Sequence, residues 1–104
     1  MTARVRTTAR ADRQILQAGA WWRGNRPAAP NLLTSEIAAA FSLLENAADI
    51  ASRYRRRGIP GLRRLLLPRT RYHVYYVHDP TGEVLVLAVW SAVRGRGPPL
   101  SGQR

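Results

Sequence analysis

The stretch from Arg63 to Trp90 reads Arg-Arg-Leu-Leu-Leu-Pro-Arg-Thr-Arg-Tyr-His-Val-Tyr-Tyr-Val-His-Asp-Pro-Thr-Gly-Glu-Val-Leu-Val-Leu-Ala-Val-Trp. Three runs in and around it carry strand composition. Leu62–Leu67 is apolar and closed by Pro68, Tyr72–His78 is dense in aromatic and β-branched residues, and Val84–Trp90 is almost wholly apolar. Such side chains suit a pleated, half-buried surface. Between the last two lies Asp79-Pro80-Thr81-Gly82, where proline pre-sets one dihedral and glycine accepts a positive φ. Pro68-Arg69-Thr70-Arg71 is a second turn. The stretch therefore predicts a three-stranded antiparallel meander with arginines at its start and its turns.

Working back toward the N-terminus, Ala3–Thr7 alternates as Ala-Arg-Val-Arg-Thr and predicts an edge strand with Val5 turned inward. Thr7 or Thr8 can accept an orphan helix N–H, which places a helix over Ala9–Arg23. Ala11, Ile15, Ala18 and Trp22 form its apolar stripe. Gly24-Asn25 tolerates left-handed geometry and is expected to end the helix. A second helix over Asn31–Ala48 carries Leu33, Ile37, Ala40, Phe41, Leu44 and Ala48 on one stripe. The short Arg26-Pro27-Ala28-Ala29-Pro30 connector makes the pair an antiparallel hairpin. Neither stripe can be buried alone, so both must cover the sheet. Asp49–Gly61 reads as an exposed basic link holding Arg53, Arg55, Arg56 and Arg57. The expected fold is α+β: an N-terminal edge strand, a helical hairpin and the meander. The chain forms one domain over 1–104, with a flexible basic tail from about residue 95.

The formal charge is +11, from 17 basic residues against 6 acidic ones, and every basic residue is arginine. Arginine suits bidentate contacts to phosphate or carboxylate, and the bias is equally open to genomic base composition. The charge implies an acidic partner, either nucleic acid, an anionic surface or an acidic protein segment. There is no cysteine, which excludes disulfides and thiol chemistry. No apolar run approaches a membrane span and no signal-peptide core follows the N-terminus, so a cytoplasmic location without membrane contact is the default expectation. His73 and His78 lack the cysteines and carboxylates that would complete a metal site, and no cofactor or metal is expected. Of the paired indoles, Trp22 falls on the stripe and belongs to the core. Trp21 is either half-buried under the connector or a partner contact. Tyr72, Tyr75 and Tyr76 alternate across strand faces, so at least one must leave the core, where it could stack on a base.

The chain resembles the RelE/ParE superfamily of toxins from bacterial type II toxin–antitoxin systems. The resemblance runs from Val5 to Gly97. It rests on the Ala11-Asp12 to Trp21-Trp22 helix, the Asn25-Arg26-Pro27 break and the Glu36-Ile37 to Leu44 helix. The Gly61-Leu62-Arg63-Arg64-Leu65, Arg71-Tyr72-His73-Val74-Tyr75-Tyr76 and Leu87-Ala88-Val89-Trp90-Ser91-Ala92 strands complete it. The superfamily divides by activity. A ParE-like branch poisons DNA gyrase and is not a nuclease, whereas a RelE-like branch cleaves messenger RNA on the ribosome. The resemblance implies an anion-binding set of Arg63, Arg64, Arg71 and Arg94, with His73 and Arg94 catalytic only in the nuclease reading. Three departures weigh against that reading. His73 stands where the nuclease branch has arginine, Ser91 where many relatives have histidine, and no Tyr or His follows Trp90. The ParE-like reading therefore comes first, with the ribonuclease second and a small basic nucleic-acid-binding module third. The resemblance also implies a cognate antitoxin whose acidic C-terminal segment folds onto an apolar groove near Ile15, Trp22, Leu33 and Ile37 and along the sheet edge.

Overall fold

The computed structural model describes residues 2–100. In chain order the elements are β1 (Arg4–Thr7), α1 (Ala9–Asn25), α2 (Leu32–Asn46), β2 (Ser52–Arg53), β3 (Leu62–Leu67), β4 (Tyr72–His78) and β5 (Glu83–Ser91). They build a sheet in the order β1-β5-β4-β3-β2, with both helices on one face. The architecture is the expected α+β one, with two refinements. β1 pairs in parallel with β5, Val5 opposite Val84. The basic link contributes the short strand β2, antiparallel to β3, which raises the sheet to five strands.

Local chemistry accounts for the element ends. The Thr8 hydroxyl accepts from the Ala11 amide at 3.0 Å and starts α1. The helix runs past the expected Arg23 to Asn25, and neither Gly24 nor Asn25 has a positive φ. Instead the Asn25 side chain donates to the Trp21 carbonyl at 2.8 Å. Arg26 then leaves helical geometry at φ −133°, as the residue before proline is driven to do. α2 ends at Asn46, ahead of the expected Ala48. The Ala48 carbonyl there accepts the Tyr76 hydroxyl at 2.7 Å, which ties the departing chain to the sheet.

Both meander turns form where expected. Gly82 takes φ 91° and its amide reaches the Asp79 carbonyl at 2.9 Å, while the Asp79 carboxylate accepts from the Thr81 amide at 2.8 Å. In the β3–β4 turn Arg71 takes φ 63°, a left-handed geometry unusual outside glycine. The turn is held from α2. Glu36 accepts from the Arg69 amide at 2.9 Å, the Thr70 amide at 3.0 Å and the Thr70 hydroxyl at 2.6 Å.

The main core lies between the helices and the inner sheet face. Ala11, Ala18 and Trp22 of α1 and Leu33, Ile37, Ala40 and Leu44 of α2 meet Val74, Tyr76, Val84, Val86 and Val89. A bulge makes this possible. Tyr75 pairs with Ala88 and Tyr76 with Val86, leaving Leu87 as the extra residue in β5. Val86 and Val89 thus both face the helices, and Leu87 and Ala88 both face away. β1 has ended by then, and the buried Gln14 side chain takes its place, accepting from the Val89 amide at 2.9 Å. No helix among the described residues is long and apolar enough to cross a membrane.

The expected flexible tail from about residue 95 is packed as far as Leu100. Pro98 and Leu100 are buried, the Arg56 guanidinium donates to the Pro98 carbonyl at 3.1 Å, and Arg10 donates to the Pro99 carbonyl at 2.8 Å. Leu100 belongs to a second apolar cluster with Leu62, Tyr75, Leu87 and Ala88 on the outer sheet face. Residues 101–104 lie outside the described residues.

Candidate functional site

The outer face of the meander, away from the helices, carries the densest mixture of arginine and aromatic side chains. Strand alternation puts it there. Val74 and Tyr76 of β4 turn inward, so His73 and Tyr75 turn outward, with Arg64 and Leu66 of β3 beside them in register. The Arg64 guanidinium lies over the Tyr54 ring at 4.3 Å from its centre. Tyr54 in turn meets Tyr75 edge-on at 5.5 Å, and His73 meets Tyr75 at 5.8 Å. On the far side His73 pairs with Trp90, whose ring lies under the Arg94 guanidinium at 4.3 Å. The Trp90 indole N–H is spent on the Arg96 carbonyl at 3.1 Å.

The electrostatics of this face run one way. Burial, followed by the nearby cations Arg64 and Arg71, lowers the pKa of His73, so its imidazole is neutral at pH 7. A neutral imidazole can take up a proton or accept a hydrogen bond. The charged groups acting on it among the described residues are both arginines. Among the described residues no cluster of histidines and acids could hold a metal ion.

The expected anion-binding set is not gathered in one place. Arg63 and Arg64 are neighbours in sequence and therefore point to opposite faces. Arg63 is committed to the structure. Its guanidinium donates to the Asp49 carbonyl at 3.1 Å and the Ala51 carbonyl at 2.7 Å, and its Nε stands 3.6 Å from the Asp49 carboxylate. His78 approaches the same carboxylate at 2.9 Å, and this contact chiefly lowers the Asp49 pKa. Arg71 and Arg94 line a cavity beside the end of β5 that Arg64 does not line. Trp22, Leu33 and Ile37, expected along an antitoxin groove, are buried in the main core, with Ile15 half-buried against it. The sheet covers Leu33 and Ile37, while Trp22 also borders the cavity beside the end of β5. Trp21 is 49% exposed, and the guanidinium of Arg26, the first residue of the connector, lies 5.6 Å from the centre of its ring. The residue that sequence reasoning missed is Tyr54. It looked like one member of a solvated basic run, and only the pairing of β2 with β3 brings it beneath Arg64.

Comparison with known proteins agrees with this fold. The family model described as the ParE toxin of type II toxin–antitoxin systems, parDE, matches residues 5–95. No curated protein matches the sequence. Among solved structures, the chain is similar to one from a chromosomal ParDE system of P. aeruginosa, with a TM-score of 0.69 at 16% identity. That likeness covers 86% of this chain and 96% of the other. A chain of the toxin–antitoxin complex RelBE2 from Mycobacterium tuberculosis is similar with a TM-score of 0.63 at 22% identity, over 88% of this chain and 99% of that one.

Proposed function

This chain belongs to the ParE toxin family of type II toxin–antitoxin systems, and from that premise we propose that it arrests growth by binding DNA gyrase through the outer sheet face and is neutralised by a cognate antitoxin. The observation that carries the reading is the chemistry around His73. Cleaving RNA by general acid–base catalysis takes one group to remove a proton and a second to supply one. Here the neutral His73 imidazole lies among arginines, with the tyrosines Tyr75 and Tyr54 in edge-on ring contact along the face. Binding needs no such pair. Arg64 and Arg94, each laid on an aromatic ring, offer charge and apolar area together. Support for an antitoxin comes from the similar solved structures, which belong to toxin–antitoxin systems. A cytoplasmic location follows from the target.

The second reading, a RelE-like ribosome-dependent endoribonuclease, is favoured by one feature. The depressed pKa of His73 leaves it able to act as a general base beside the Arg64 cation. A tightly controlled expression experiment separates the two. DNA synthesis and protein synthesis are followed by pulse labelling within minutes of induction. DNA synthesis should stop first, His73→Gln should still arrest growth, and Arg64→Glu should not. Protein synthesis stopping first, with His73→Gln inactive, would replace the gyrase reading with the nuclease one. An absence of arrest with soluble wild-type protein would leave a basic binding module.

A further inference from the structure

All three tryptophans of the chain line one cavity. It holds about 650 Å³ between the second half of α1, the β3–β4 turn and the end of β5, which is the size of a small-molecule pocket. Arg26, Arg69, Arg71 and Arg94 also line it, and no aspartate or glutamate does. None of these four forms an ion pair among the described residues. Glu36, the acid that reaches the turn, is taken up by the Arg69 and Thr70 amides and the Thr70 hydroxyl. Arg71 stands apart in its backbone. It takes φ 63°, a geometry that strains a residue with a Cβ and suits glycine. Its amide donates to the Leu67 carbonyl at 2.9 Å, and its carbonyl accepts from the Ala92 amide at 2.7 Å. Both bonds belong to the backbone and need no guanidinium. A turn position made for glycine therefore holds an arginine at the cavity, and strain of this kind gathers at functional sites.

We propose that this cavity binds a free nucleoside di- or triphosphate. A terminal phosphate carries about −1.5 to −2 charges at pH 7, and each further phosphate sets more acceptor oxygens beside it. Four guanidiniums without acids match that density, because each offers a planar fork to a phosphate. Carboxylates spaced along a peptide would engage such forks one at a time. The base has flat surfaces to lie on. Trp21 is half-exposed, and bases stack on guanidinium planes as well as on aromatic rings. The Arg26 guanidinium lies 5.6 Å from the centre of Trp21, and that of Arg94 lies 4.3 Å from the centre of Trp90. Gln17 brings a donor and an acceptor for a base edge. The buried residues Ala18, Trp22 and Val89 form the apolar wall behind them. The proposal goes beyond the gyrase reading and does not depend on it, since neither Arg64 nor His73 lines this cavity.

The left-handed arginine makes the test direct. ATP, GTP, ADP, AMP and tripolyphosphate are titrated into the full-length protein by isothermal calorimetry at low salt. ATP or GTP should bind saturably at one site, and ADP should bind more tightly than AMP. Tripolyphosphate, which lacks a base to stack, should bind about tenfold less tightly than the better triphosphate. Arg71→Gly should weaken nucleotide binding by about tenfold, the scale of a lost charge-assisted contact, without lowering the melting temperature read by circular dichroism. Arg26→Ala should weaken binding likewise. Arg57→Ala, an exposed cation outside this cavity, should leave it unchanged. No saturable heat from either triphosphate would overturn the proposal, as would equal affinity for tripolyphosphate. So would binding that folded Arg71→Gly and Arg26→Ala both leave intact, or that Arg57→Ala abolishes. Displacement of the nucleotide at equal concentration by oligouridylate, or by a peptide of Glu and Asp flanking one Phe, would give the cavity to a nucleic acid or a protein segment instead. Growth arrest is scored separately. A wild type that binds nucleotide yet arrests nothing would sink the functional reading and leave the cavity's assignment standing.

Discussion

The two faces of the sheet are made from the same strands and put to opposite uses. On the inner face the polar groups are spent on the fold. Tyr76 is fully buried with its hydroxyl on the Ala48 carbonyl, and Gln14 replaces the missing sheet partner of Val89. On the outer face Arg64 and Arg94 lie on aromatic rings and have no acidic partner among the described residues. Arg63 and Arg64 show the contrast within one dipeptide. The first closes the α2–β2 link through two carbonyls, and the second lies over the Tyr54 ring. Adjacent identical residues differ in role because a strand turns alternate side chains to opposite faces.

The sharpest break in this comparison is a cavity in the inner core. Leu33 is fully buried against the sheet, and Leu33→Ala should cost about 2–5 kcal/mol in chemical denaturation. A loss under about 1 kcal/mol would mean that the inner face is not the main source of stability. The next separates the dipeptide. Arg63→Ala leaves the Asp49 and Ala51 carbonyls without their donor and the Asp49 carboxylate with His78 alone, and should destabilise by about 1–3 kcal/mol. Arg64→Ala loses chiefly a ring contact and should cost less than about 1 kcal/mol while abolishing growth arrest. Equal stability losses would erase the distinction drawn between the faces.

The smallest effect is in pH. His73 is held below its ordinary pKa, first by burial and then by Arg64 and Arg71. On acidification the unfolded chain takes up that proton before the folded one does. The stability His73 contributes is thus whole above about pH 6.5 and falls as pH drops through that value toward the depressed folded one. His73→Gln should flatten this part of the denaturation profile, and the wild-type imidazole should titrate by NMR below an unstructured histidine. A midpoint above the ordinary value would require a carboxylate near His73 that the geometry does not supply.

Much of the fold was legible because it rests on short-range signals. The meander strands, both of its turns and the Thr8 cap were readable from residue type and spacing alone. What escaped depends on contacts between distant segments. Gln14 is not on the apolar stripe of α1, yet its side chain accepts from the amide of a strand residue 75 positions away. Glu36 is not on the apolar stripe of α2, yet it holds the β3–β4 turn. The strand β2 is too short to announce itself, and Tyr54 gains its place only through it. The candidate site was half readable. Arg64 and His73 lie together on the outer face. Arg63 was set apart from them by the alternation that the strand reading itself implies. The stripe of Trp22, Leu33 and Ile37 was correctly apolar, but its apolarity serves the core.

The claim that matters most is that the outer face acts by binding, without catalysis. The most direct measurement is the supercoiling of relaxed plasmid by purified DNA gyrase with increasing toxin. The account predicts inhibition by the wild type and by His73→Gln alike, and none by folded Arg64→Glu. Undisturbed supercoiling at toxin in excess over gyrase, together with messenger RNA cut on ribosomes only when His73 is present, would contradict it.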